Sequence, residues 1–200
     1  MQKCFCISFN IIEEMKKGII FLARHGQNED NAEKLLNGHR DRPLTDLGRE
    51  QAVEVAKKLN GKGIQKIYSS PLVRSFETGE IIADVLGLDK PEVNTLFIER
   101  DFGVLTGKPV ADILKYSSDD LQTEHVLHFL NVEGSEDYPK LKERGFRGLK
   151  FIQEKHPEDT VLIVSHGDIG KMIKAAFYDK DWKDVLQEGY FSHTTIHELK

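Results

Sequence analysis

The chain has 200 residues, of which 39% are hydrophobic and 30% charged, and its formal net charge is -5. That length and apolar content suit one sizeable core and exclude intrinsic disorder, and no run of about 18 uncharged apolar residues exists to cross a bilayer. The acidic balance excludes an extended nucleic-acid surface, which needs a broad excess of Lys and Arg, but not a small anionic ligand met by a few converging cations.

Residues 1–14 read as a leader outside the fold: the apolar run is broken by Ser8 and Asn10, and no small-residue cleavage site follows it. Met15 stands just before the first convincing strand, so residues 15–200 are expected to form a single domain. Cys4 and Cys6 lie too close for an unstrained bridge and have no partner at metal-ligand spacing.

From Gly18 onward strand-like and helix-like segments alternate, which predicts an α/β fold: a three-layer α/β/α sandwich on a mostly parallel sheet. Residues 19–23 (IIFLA) form a short continuous apolar run, as a buried central strand does, and end at Arg24-His25-Gly26. Thr45 reads as an N-cap, and Ala52, Val55, Ala56 and Leu59 recur at helical spacing until Asn60-Gly61. Ile67-Tyr68-Ser69 reads as a second strand, with Ser70 as cap and Pro71 at the first position of a helix that buries Leu72, Phe76, Ile82 and Leu86. Residues 92–98 read as a strand. The stretch 103–134 is irregular, with one or two short helices marked by Tyr116, Leu121, Val126, Leu127 and Leu130. Tyr138, Leu141, Leu149 and Ile152 mark a helix interrupted by Gly145 and Gly148. The run 160–164 (TVLIV) is the strongest strand and leads to Ser165-His166-Gly167; a helix through Met172 and Ala176 and a last strand at 194–199 complete the order.

Two strands therefore end in His-Gly, and the carboxyl ends of strands are where open α/β sheets bind ligands. A single histidine after a strand is commonly a polar residue at a surface turn. Two of them, each before a glycine that lets the backbone approach a ligand and one beside an arginine, form a site candidate. Arg74, near the start of the helix after the next strand, and Glu99, after the segment ending at Ile98, are placed to reach the same crevice. Read singly, Arg74 is a solvated helix arginine and Glu99-Arg100 an exposed ion pair.

These segments resemble the histidine phosphatase superfamily, in its phosphoglycerate-mutase-like branch. Arg24-His25-Gly26-Gln27-Asn28-Glu29-Asp30-Asn31 is similar to the family's R-H-G-E-T-x-x-N, and residues 38–52 to G-x-x-D-x-P-L-T-x-x-G-x-x-Q-A. Ser70-Pro71-Leu72-Val73-Arg74 resembles S-P-L-x-R, residues 99–107 fit E-x-x-x-G-x-x-x-G, and Val164-Ser165-His166-Gly167 fits V-S-H-G. Gln27 and Asn28 depart from the usual Glu and Thr or Ser, and Ser75 and Glu77 from Ala and Gln.

The resemblance implies phosphoryl transfer through a phosphohistidine on His25, whose second ring nitrogen needs a backbone carbonyl to fix the tautomer. Arg24, Arg74 and His166 would surround the phosphoryl oxygens, and Glu99 would protonate the leaving oxygen and then activate water. Asn31, Asn37, Gly38, Arg100 and Gly167 are assigned to substrate binding, with no metal ion and no cofactor. The expected partner is a small phosphorylated metabolite, with neither nucleic acid nor membrane, in a soluble cytoplasmic protein. The segment between Gly107 and Gly134 is short and contains no arginine, which by the resemblance favours a phosphatase over the alternative, a mutase that carries a longer insertion there with paired arginines. A non-catalytic phospholigand-binding module is the remaining reading.

Overall fold

The computed structural model describes residues 18–124, 126–189 and 191–200. The expected leader with its two cysteines, Met15 and His125 lie outside them. Strand β1 (Ile19–Arg24) is the apolar run predicted, and it pairs in parallel with β6 (Thr160–Ser165). Beyond β6 lie β2 (Lys66–Ser69) and the short β3 (Glu92–Val93), both parallel, and on the other side of β1 runs β7 (Ile196–Leu199), antiparallel. The order is thus β3-β2-β6-β1-β7.

Alternate residues of the central strands face opposite ways, so each face carries its own core. Ile20, Leu22, Val161 and Ile163 pack under α5 (Tyr138–Lys155), α6 (Gly167–Phe177) and α7 (Trp182–Gln187). Phe21, Ala23, Leu162 and Val164 pack under α2 (Asp46–Leu59) and α3 (Val73–Leu86). This is the expected α/β/α sandwich. A third, smaller cluster of Phe102, Leu105, Ile113, Phe129 and Val132 sits apart and holds the segment that covers one end of the sheet.

Four local expectations are corrected. Thr45 does cap α2, accepting from the Gly48 N–H at 3.1 Å, but α3 begins two residues later than expected, with Leu72 as its cap residue and no side-chain cap bond. Ser70 is drawn instead to His166, and Pro71 lies before the helix. The strand predicted at 92–98 stops at Val93, because Asn94 Oδ1 accepts from the Leu96 N–H and turns the chain into a 3₁₀ turn, Thr95–Phe97. In the 103–134 stretch, Leu121 and Leu127 belong to a hairpin, β4 (Asp120–Gln122) with β5 (Leu127–Phe129), while the helical part is two 3₁₀ turns, Gly103–Leu105 and Val110–Asp112, and the single turn of α4 (Ile113–Tyr116). Helix α5 runs unbroken through Gly145 and Gly148. A Cβ on Gly148 would lie 2.6 Å from Phe97 and one on Gly145 3.1 Å from the Ile173 backbone, so these glycines permit close packing rather than a break.

Candidate active site

The parallel register sets Arg24 opposite Ser165, so the residues that follow β1 and β6 emerge side by side. The His25 N–H donates to the Ser165 carbonyl at 2.9 Å, and the His25 and His166 rings meet edge-on with centroids 5.0 Å apart. Gly26 passes so close to Gly48 that a Cβ on either would strike backbone, of Gly48 from one side and of Gln27 from the other. The glycine of the first motif and the glycine of the second are thus two halves of one contact, which presses the loop after His25 onto the start of α2.

His25 is buried, and its Nδ1 donates to the Gly26 carbonyl at 2.6 Å, which fixes the proton there and leaves the lone pair on Nε2. Arg74 Nε donates to that Nε2 at 3.2 Å. Burial, then the positive charge of Arg74, holds the His25 pKa well below the ordinary histidine value, so the ring is neutral at physiological pH. Arg74 is itself fully buried and aimed by carbonyls: Nη1 donates to Arg40 O at 2.6 Å and Nη2 to Gly38 O at 3.0 Å. Burial lowers its pKa to about 10, still high enough to keep it charged.

Glu99 is 6% exposed and sits at the start of α6, where the Gly167 and Ile169 N–H groups donate to its two oxygens at 3.0 and 3.2 Å and the Arg100 N–H adds 2.8 Å. Burial, reinforced by the carboxylate of Asp168, raises its pKa above the ordinary glutamate value despite those donors. His166 is fully buried, with Nε2 paired to Ser70 Oγ at 2.8 Å and Nδ1 without a hydrogen-bond partner. Arg24 Nη1 donates to the Phe191 carbonyl at 2.9 Å. Asn28, the departure in the first motif, is completely buried: Oδ1 caps the short α1 (Glu29–Ala32) and Nδ2 donates to Asn37 Oδ1 at 2.6 Å. The other departures are also paired, Ser75 Oγ to Val164 O at 2.8 Å and Glu77 to Arg49 at 2.7 Å.

A cavity of about 340 Å³ opens in front of this group. Arg24, His25, Arg74, Glu99, Asn31, Asn37 and Gly167 all line it. Gly38 contributes its carbonyl to Arg74 rather than a surface, and His166 backs His25 from outside the wall. Arg100 is also outside the wall, fully buried, with its guanidinium 4.1 Å over Phe129 and 4.2 Å over Tyr138. Each of its nitrogens is committed, to Glu136 O, Asp168 and Phe129 O.

The family model described as "Histidine phosphatase superfamily (branch 1)" matches residues 20–200. The chain belongs to the histidine phosphatase superfamily. It is 32% identical over 161 residues to phosphoglycerate mutase-like protein 4 of Arabidopsis thaliana, covering 78% of this chain and 70% of that one. It is 33% identical over 150 residues to the probable phosphoglycerate mutase GpmB of Salmonella paratyphi B, covering 74% and 69%. Among solved structures it resembles a mycobacterial glucosyl-3-phosphoglycerate phosphatase complexed with VO3, at TM-score 0.77, 22% identity and 90% of each chain. It also resembles a phosphoserine phosphatase of Entamoeba histolytica in complex with 3-phosphoglyceric acid, at TM-score 0.71 and 23% identity over 90% and 89%.

In this member of the histidine phosphatase superfamily two residues beside the site, Asp168 and His193, escaped the sequence reading. Asp168, in the first turn of α6, lines the cavity and accepts from Tyr138 Oη at 3.0 Å and Arg100 Nη1 at 3.2 Å; its place directly after His166-Gly167 was an available signal. His193 Nδ1 donates to the His25 carbonyl at 2.7 Å, and no periodicity or motif marks it. His128 is a buried wall residue on β5. Among the described residues no group of three or more His, Cys, Asp and Glu is placed to hold a metal ion, and no helix is long and apolar enough to cross a membrane.

Proposed function

We propose that this protein is a phosphomonoesterase that works through a phosphohistidine on His25 Nε2, without a metal ion. The observation that carries this reading is the Nδ1–H to Gly26 carbonyl bond at 2.6 Å, which directs the ring's lone pair to Nε2 between Arg74 and the cavity. In the first step Nε2 attacks phosphorus as the ester P–O bond breaks, and the departing oxygen takes its electron pair and the Glu99 proton. Arg24 and Arg74 offset the charge on the three phosphoryl oxygens, while the neutral His166 ring packs behind His25. In the second step Glu99, now a carboxylate, takes a proton from water as the water oxygen bonds to phosphorus. The P–N bond breaks, its electron pair returns to His25, and inorganic phosphate leaves.

Hydrolysis is favoured over mutase transfer because residues 107–134 contain no arginine to clamp a second anionic group and Arg100 is buried behind the wall. The mutase reading draws on the names of the relatives above. Rapid acid-free quenching during turnover is expected to trap an acid-labile phosphoryl group that His25→Ala abolishes. Free phosphate should accumulate from phosphomonoesters, unchanged by chelator, while 3-phosphoglycerate is not converted to 2-phosphoglycerate. No adduct and no phosphate from any monoester would leave only ligand binding.

The Glu99 assignment has its own signature. A nitrophenolate departs without a proton, whereas an alkoxide needs one. Glu99→Gln is therefore expected to lower kcat on alkyl phosphates by about 10²–10⁴-fold and on 4-nitrophenyl phosphate much less in the first step. Equal losses in burst rate on both substrates would remove Glu99 as the acid.

A further inference from the structure

The cavity has two chemically different ends. Arg24, His25, Arg74 and Glu99 form one, and beyond them the wall is made by Leu35, Leu36, Phe102, Ile113, Leu127 and Phe129. That second end receives its shape from the segment covering the sheet, whose own core includes Phe102, Ile113 and Phe129.

Among the described residues, two cations and one histidine lie near this end, and the structure accounts for each. Arg100 is fully buried, sandwiched between Phe129 and Tyr138, with its nitrogens on two carbonyls and Asp168. Lys171 lines the cavity but is 8% exposed, and its Nζ donates to the Leu186 and Glu188 carbonyls at 2.8 Å each. Its neighbour one turn earlier on α6 is Asp168, a carboxylate in the same wall. His128 is 4% exposed; Tyr138 Oη donates to Asp168 and so receives the His128 Nδ1–H at 3.2 Å, and burial keeps the ring neutral by lowering its pKa. A carboxylate or second phosphate brought here would be desolvated beside Asp168 with no guanidinium to receive it, whereas a hydrocarbon or aromatic group would exchange water for apolar wall.

We propose that the cavity selects phosphomonoesters whose alcohol part is uncharged and mainly apolar, such as aryl or branched alkyl phosphates, and rejects those carrying a second anionic group. This selectivity sets the chain apart from the solved relatives whose names contain phosphoglyceric acids. It rests on the phosphomonoesterase reading but goes beyond it, since the same catalytic group would serve either kind of alcohol.

The test is the ratio of kcat/KM values for a matched panel: phenyl, 1-naphthyl and 3-methylbutyl phosphates against 3-phosphoglycerate and phosphoserine. Leaving-group reactivity alone favours aryl esters, so the deciding comparison is 3-methylbutyl phosphate against 3-phosphoglycerate, both alkyl esters. At least a tenfold preference for the former is expected. Val110→Arg, which adds a cation to the same wall at a 45% exposed position, is expected to narrow that ratio, with an unchanged urea-unfolding midpoint showing that the fold is kept. Preference for 3-phosphoglycerate or phosphoserine, with the turnover abolished by His25→Ala, would overturn the selectivity and leave the phosphatase intact. No turnover of any panel member would overturn the phosphatase reading itself.

Discussion

His25, the proposed nucleophile, is held from two directions, and one of them comes from far along the chain. Gly26 O fixes the His25 ring, while His193 Nδ1 grips the His25 backbone carbonyl at 2.7 Å and Phe191 O anchors the neighbouring Arg24. Burial, then the charge of Arg24, lowers the His193 pKa to about 3, so it is a neutral donor throughout the working range. We expect His193→Ala to lower kcat by about tenfold with little change in KM, since a small misplacement of a nucleophile costs rate before binding. His193→Asn, which keeps an N–H donor of similar reach, should recover most of the loss. A KM effect with no loss of kcat, or no rescue by Asn, would assign His193 to substrate contact or to bulk stability instead. The positions of His25, Arg74 and His166 were legible because each follows a strand end or opens a helix; Glu99 was legible only through its motif spacing, since the strand expected before it stops at Val93. His193 was not, because its partner is a backbone carbonyl, and a backbone partner leaves no complementary residue type in the sequence.

Elements with a long apolar run or a clear helical period came out at nearly their true bounds: β1, β6 and α2 are the examples. The segments that went astray were those where tertiary contact outweighs local preference. In α5 the two glycines read as a break, yet the helix continues for 18 residues because their missing side chains admit Phe97 and Ile173. Gly148→Ala makes this quantitative. Alanine is the better helix former by about 1 kcal/mol, but its Cβ would stand 2.6 Å from a fully buried Phe97 ring, and overpacking costs typically about 1–3 kcal/mol. The clash should win or balance, so urea unfolding is expected to show unchanged or lowered stability, by up to about 2 kcal/mol. An increase near 1 kcal/mol would mean that Phe97 relaxes freely. Relaxation there would also reach the site, because Ser165 Oγ donates to the Phe97 carbonyl at 2.7 Å, one residue before His166.

The whole molecule joins an acidic exterior, net charge -5, to a buried cationic and imidazole-rich site, and folding therefore responds to pH through its histidines. His25, His166 and His193 all have folded-state pKa values below the ordinary value near 6.5, with burial the leading cause each time, and His128 and His197 shift the same way. Below about pH 6.5 the unfolded chain takes up protons that the folded chain refuses, so stability falls as pH falls, by up to about 1.4 kcal/mol per pH unit for each such group. For His193 the window runs from about 6.5 down to about 3. Glu99 acts in the opposite sense, since its raised folded pKa means that the folded state binds a proton first as pH drops below its folded value, but it is one group against five. Denaturant titrations at pH 7.5, 6.5, 5.5 and 4.5 should thus show little change between the first two and a steepening loss below them. His193→Gln, which removes one refused proton, should flatten the slope between pH 5.5 and 4.5. A stability flat across that range would mean that these imidazoles are protonated in the folded protein, and a protonated His25 has no lone pair at Nε2 with which to attack phosphorus.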